Sequence, residues 1–187
     1  MLKRFFRLAD DVYVPHRWHL DTPRDNQGLQ VDDGHFSLGA PVRVTERLRI
    51  PVEIEGQPLD FTEAGIGIPV VHVRLASLFS ELAPDDVQLL PVDVQGQPDQ
   101  YLILVVTRLI RCIDEHASRI DFWTQEDGVS HKVGQYFSVL DLRIDKEKVG
   151  AARVFRPEGW DVALLVSGEI KDALERIGAT GTRFEEV

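Results

Sequence analysis

The chain has 187 residues, of which 43% are hydrophobic and 28% charged, with a mean hydropathy of -0.14. That composition excludes a wholly disordered or collagen-like chain, and the length suits one domain. A formal net charge of -10 and a pI near 5.0 argue against phosphate-backbone binding as the main activity. One cysteine excludes an intramolecular disulfide framework and a multi-cysteine zinc site.

Met1 to Asp11 carries early positive charge but no apolar run of signal-peptide length, and Tyr101 to Thr107 is too short to cross a membrane. These features and the lone thiol point to the cytoplasm. Phe5 to Val14 reads as a short strand, and His16 to Ser37 as loop, rich in Asp, Asn, Gly and Pro. Val42 to Ile50 reads as a half-solvated strand, which Val52 and Ile54 continue only as an edge because Pro51 intervenes. Ala64 to Pro69 reads as a flexible stretch. Val71, Leu75, Leu78, Phe79 and Leu82 then recur as one helical face, closed by Pro84.

Val87 to Val94 is a predicted strand, and Tyr101 to Ile113 is the strongest strand signal, apolar enough for a central position. Ile120 to Thr124 and His131 to Val139 are predicted to pair antiparallel across Glu126-Asp127-Gly128. Val154 to Arg156 and Val162 to Val166 are short strands. Ser167 caps a helix whose face is Ile170, Leu174 and Ile177, Gly178 stops it, and Thr182 to Val187 is a closing strand. The fold class expected is α+β, a largely antiparallel sheet with two amphipathic helices near 71–82 and 168–177. The expected organisation is a single domain over 1–187, loop-rich over 1–60 with a helix–strand core over 61–187. Residues 71–92 also align without a gap on 166–187, Val71 matching Val166 and Phe79 matching Leu174.

The charge is uneven. Residues 50–107 hold nine acids and a single base, Arg74. Such a segment is a solvated surface, an acidic face that steers a basic partner, or a cation site, although its acids lack the ligand spacing of a calcium loop. On the second reading the candidate partner-binding residues are Glu81, Asp85, Asp86, Asp93 and Asp99.

Catalytic and metal motifs are weak. His16 and His19 have a helical ligand spacing, but Pro15 and the turn residues around them oppose a helix. Asp32-Asp33-Gly34 is ordinary turn chemistry, and Gly65-Ile66-Gly67 lacks the third glycine of a dinucleotide fingerprint. Cys112 lies in an apolar strand and reads as a buried hydrophobe rather than a nucleophile served by His116. Trp18, Trp123 and Trp160 are core residues or partner anchors, with packing the expected role for at least two. No catalytic residue, cofactor or metal is therefore assigned.

The run Val166-Ser167-Gly168-Glu169-Ile170-Lys171-Asp172-Ala173-Leu174-Glu175, continuing through Gly178, Thr180-Gly181 and Phe184 to Val187, resembles the closing signature of a bacterial family. That family is the eleventh numbered immunity family of polymorphic toxin systems. Val154-Phe155-Arg156, Asp85 to Val92 and Tyr101 to Asp114 resemble its other strands. The resemblance implies a non-enzymatic cytoplasmic protein that binds and blocks a cognate toxin encoded by an adjacent gene, without nucleic-acid or membrane partners. A protein-binding adaptor with another partner, or an enzyme using Cys112 and a histidine, are the alternatives.

Overall fold

The computed structural model describes residues 3–187. Strands β1 (Phe5–Asp10), β2 (His19–Leu20), β3 (Leu48–Ile50), β4 (Val52–Ile54), β5 (Phe61–Ala64) and β6 (Ile68–His72) lead into helix α1 (Val73–Leu82). Five strands follow: β7 (Val87–Val94), β8 (Tyr101–Val106), β9 (Leu109–Ile110), β10 (Arg119–Phe122) and β11 (Tyr136–Leu140). The chain ends with β12 (Val154–Pro157), β13 (Leu164–Ser167), helix α2 (Gly168–Arg176) and β14 (Thr182–Glu186). Strand pairing is mostly antiparallel, so the fold is α+β, as the sequence predicts.

The strands form a seven-stranded sheet in the order β3-β7-β8-β6-β5-β2-β4, a five-stranded sheet in the order β14-β1-β13-β12-β9, and a separate ribbon of β10 and β11. The sequence echo becomes a repeated unit. In β6-α1-β7 the two strands flank β8, antiparallel to both. In β13-α2-β14 they flank β1, again antiparallel to both. The helix caps match as well. His72 Nδ1 accepts from the Arg74 N–H at 3.3 Å, and Ser167 Oγ accepts from the Ile170 N–H at 3.4 Å.

Both helices pack in one central core, where Leu75 and Phe79 of α1 meet Ile170 and Leu174 of α2, with Leu8, Phe61, Leu104 and Val166 from the sheets. The helices run antiparallel, and an arginine sits on the terminal carbonyls of each. Arg74, near the start of α1, donates to the Ile177 carbonyl at the end of α2. Arg153 donates to the Leu82 carbonyl at the end of α1 (2.8 Å) and lies 3.4 Å from Glu169 at the start of α2. Cations on terminal carbonyls complement the negative end of each helix dipole. The outer face of the seven-stranded sheet is covered by Trp18 and Phe36 of the loop-rich segment. The outer face of the five-stranded sheet is covered by Cys112, Val139, Leu142 and Val149.

Several boundaries differ from those read in the sequence. Helix α1 starts at Val73, because Val71 and His72 pair with Leu102 and Tyr101 as strand. The second helix ends at Arg176, with Ile177 as its cap and Gly178 at φ +64 beyond it. Of Ala64 to Pro69 only 65–67 is a turn, since Ala64 ends β5 and Ile68 and Pro69 open β6, which pairs with it. The apolar run from Tyr101 breaks after Val106. Beyond it, β9 joins the other sheet, with the Arg156 N–H donating to the Arg108 carbonyl. Of Val42 to Ile50 only Leu48–Ile50 is strand, since the Gln88 side chain takes both backbone groups of Val42. Ser130–Lys132 is a single turn of 3-10 helix, 133–135 are turn and bend, and β11 begins at Tyr136.

Candidate functional site

Helix α1 stops before Pro84, and the turn that follows delivers three predicted partner residues to one place. Glu81 lies in the last turn of α1, Asp85 in the connecting turn, and Asp86 just before β7. All three line a cleft of about 600 Å³, with Arg108 and Leu109 on one wall and Ala152 and Arg153 on another. Glu81 and Asp85 are exposed on its rim.

Asp86 is different. It is only 6% exposed. Its Oδ1 accepts from Arg108 Nε at 3.1 Å, and its Oδ2 accepts from the backbone N–H groups of Arg153 (2.8 Å) and Val154 (3.3 Å). The carboxylate thus ties the start of β7, in one sheet, to the start of β12, in the other. A buried carboxylate needs such partners, and these offset its desolvation.

Asp93 and Asp99 sit at the other end of β7. Asp93 pairs with Arg47 at 2.8 Å, both side chains about half exposed, and Asp99 is exposed in the turn before β8. At roughly 3.3 Å per residue, β7 separates the two acidic groups by more than 20 Å. The second group borders another cleft of about 580 Å³, lined by Arg24, Arg49, Asp93 and Gln95.

The weaker candidates resolve into structural roles. His16 has φ +56 and His19 lies in β2, so no helix aligns them, and no group of three metal-ligating side chains occurs among the described residues. Asp32 Oδ1 accepts from the Gly34 N–H at 3.0 Å, and Asp33 Oδ2 accepts from the Ile66 N–H at 2.7 Å, pinning the β5–β6 hairpin tip. Cys112 is fully buried beside Phe5, Val139 and Leu165, and burial pushes its thiol up to about 11. Trp18 is buried and donates to Thr62 Oγ1 at 2.8 Å, while Trp160 packs against the outer core of the five-stranded sheet.

Two features escaped the sequence reading. One is a set of charges between the two sheets. Arg17 pairs with Asp10 with both side chains buried. Burial, then Asp10, raises the Glu63 carboxyl above the ordinary glutamate range, while Arg156 opposes that shift. Burial likewise pushes the almost fully buried Arg156 guanidinium down, and Nη1 donates to the Asp161 carbonyl at 2.5 Å. The other is the partner of Trp123, itself read as a core or anchor residue: on the outer face of the β10–β11 ribbon it meets Phe137 edge to face, with centroids 4.7 Å apart. Apolar residues at both parities in Tyr136-Phe137-Ser138-Val139-Leu140 were the available signal.

Fold and surface together describe a protein whose clefts are open and charged and whose lone thiol is buried. Compared with known families, the chain matches an immunity protein family over residues 7–187. It belongs to that family, Imm11. No curated protein matches the sequence. None of the helices among the described residues is long and apolar enough to cross a membrane.

Proposed function

We propose that the chain, acting as one domain in the cytoplasm, neutralises a cognate bacterial toxin by binding it, without chemistry of its own. The observation that carries this reading is the family match, which spans residues 7–187. The charge supplies the mode of approach. Nine of the 31 acids and only one of the 21 basic side chains fall within residues 50–107. If the toxin acts on nucleic acid, its active face is basic, and two exposed acidic patches attract it, Glu81 and Asp85 at one end of β7 and Asp93 and Asp99 at the other. Asp86 is not part of the contact; it is buried, where it ties the start of β7 to Arg108 and to the start of β12.

Co-expression with the product of the adjacent gene tests the proposal, read by growth rescue and co-purification. Neutralising Glu81, Asp85, Asp93 and Asp99 together, with Asp86 kept, is expected to slow association roughly ten-fold at low salt and to flatten its salt dependence. An unchanged on-rate and salt slope would remove the acidic face from the proposal. Lethality without rescue or complex would remove the immunity role itself.

A further inference from the structure

We infer that the outer face of the β10–β11 ribbon is the apolar anchor on which a basic surface of the toxin docks; this rests on the toxin-binding reading above. The ribbon pairs with neither large sheet. Its inner face, Ile120, Tyr136 and Val139, packs on the core beside the five-stranded sheet. Tyr136 Oη donates to Glu115 Oε1 at 2.6 Å, which ties the ribbon to the segment after β9, and Ser138 Oγ donates to Asp121 Oδ2 at 2.8 Å across its two strands. A two-stranded ribbon is marginal on its own, so this anchoring is what makes it a rigid platform.

The outer face is costly to leave in water. Phe137 and Leu140 are 51% and 46% exposed, and Trp123 lies against Phe137. Aromatic residues gathered on a rigid, partly exposed surface are the composition of an interface centre. Trp123 already holds a cation, with Lys132 Nζ 5.0 Å from its ring centroid.

Charge selects the occupant. Residues 114–141 contain six acids against two bases. An anionic lipid surface or a nucleic acid carries the same sign as this rim and is repelled. A second copy of the chain would bring two acidic rims together. A basic protein surface meets both requirements, giving its apolar groups to the aromatic face and its cations to the rim.

The anchor and the acidic face have separable kinetic signatures. Charges away from the contact act mainly on association, and desolvated aromatic anchors on dissociation. The test uses the purified full chain and the purified adjacent-gene product, with surface-plasmon kinetics as readout. Phe137→Lys and the double variant Trp123→Ala/Phe137→Ala are each expected to raise the off-rate about 30-fold or more, with the on-rate within about three-fold. Should the double variant misfold by circular dichroism, Phe137→Lys, at a solvent-facing position, decides alone. Off-rates equal to wild type in a folded variant overturn the anchor and leave toxin binding intact. A wild-type chain that binds nothing overturns both. Loss of binding in the ribbon variants with an unaltered on-rate in the acidic-face variant retains the anchor and discards the acidic face.

Discussion

Cys112 shows how much of a residue's chemistry is set by what surrounds it. Its thiol lies among Phe5, Val139, Phe155 and Leu165, and burial followed by the nearby Asp145 raises its pKa to about 11. At neutral pH it is therefore an uncharged, inaccessible hydrophobe, a poor nucleophile. The native protein is expected to resist maleimide at pH 7, and full labelling should appear only once denaturant unfolds it. Fast stoichiometric labelling of the folded protein would restore the cysteine as a reactive group. The sequence already leaned this way, because an apolar strand is a local signal. It had no means of separating Asp86 from Asp85. Adjacent in the chain, one is exposed, and the other is enclosed by groups from residues 108, 153 and 154.

Elements followed the same division. Helix α2, its Ser167 cap and its Gly178 stop were legible because each signal lies within a few residues of the structure it specifies. The bounds of β7 matched as well, since Pro84 and Gly96 punctuate it. Strand β5 was missed because four residues, Phe61-Thr62-Glu63-Ala64, carry little period of their own. Their partner is β6, and the Phe61 N–H also donates to the Thr180 carbonyl far along the chain. Half of the candidate acidic site was legible as exposed charge, while its division between the two ends of β7 depended on where the strand runs. The join that Asp86 makes between β7 and β12 is an element-scale feature with a testable cost. Asp86→Ala strands two backbone N–H groups and frees Arg108, which is half exposed and so contributes less than a buried partner. The variant is expected to lose about 2–3 kcal/mol in urea unfolding, with its association rate for the toxin unchanged. A loss below about 0.5 kcal/mol would show that the clamp is dispensable.

The two sheets meet across charged as well as apolar groups, and this makes the stability of the whole molecule depend on pH. Glu63 of the seven-stranded sheet holds its proton more tightly in the folded state than in the unfolded chain, chiefly through burial and then through Asp10. A raised carboxyl pKa favours the folded state fully below the ordinary glutamate range. That contribution is lost as pH rises through the folded value. Glu63→Gln stays neutral throughout, so its stability relative to wild type is expected to increase from pH 4 to pH 7. Equal gaps at the two pH values, from urea midpoints, would show that Glu63 does not titrate in this way.

The repeated units are alike in space but not in time. In the first unit the inserted strand, β8, follows β7 across one short turn, so that unit closes from neighbouring sequence. In the second the inserted strand is β1, whose partners start at Leu164 and Thr182. During synthesis β1 leaves the ribosome before either partner exists, with Phe5, Phe6 and Leu8 uncovered. The first unit can assemble early, whereas the second remains open until Glu186 has emerged. Closing so long a loop is entropically slow, and an unpaired apolar strand is the segment most exposed to misassociation in the interval. The window of vulnerability in making this fold therefore falls on β1, the strand that waits longest for its partners.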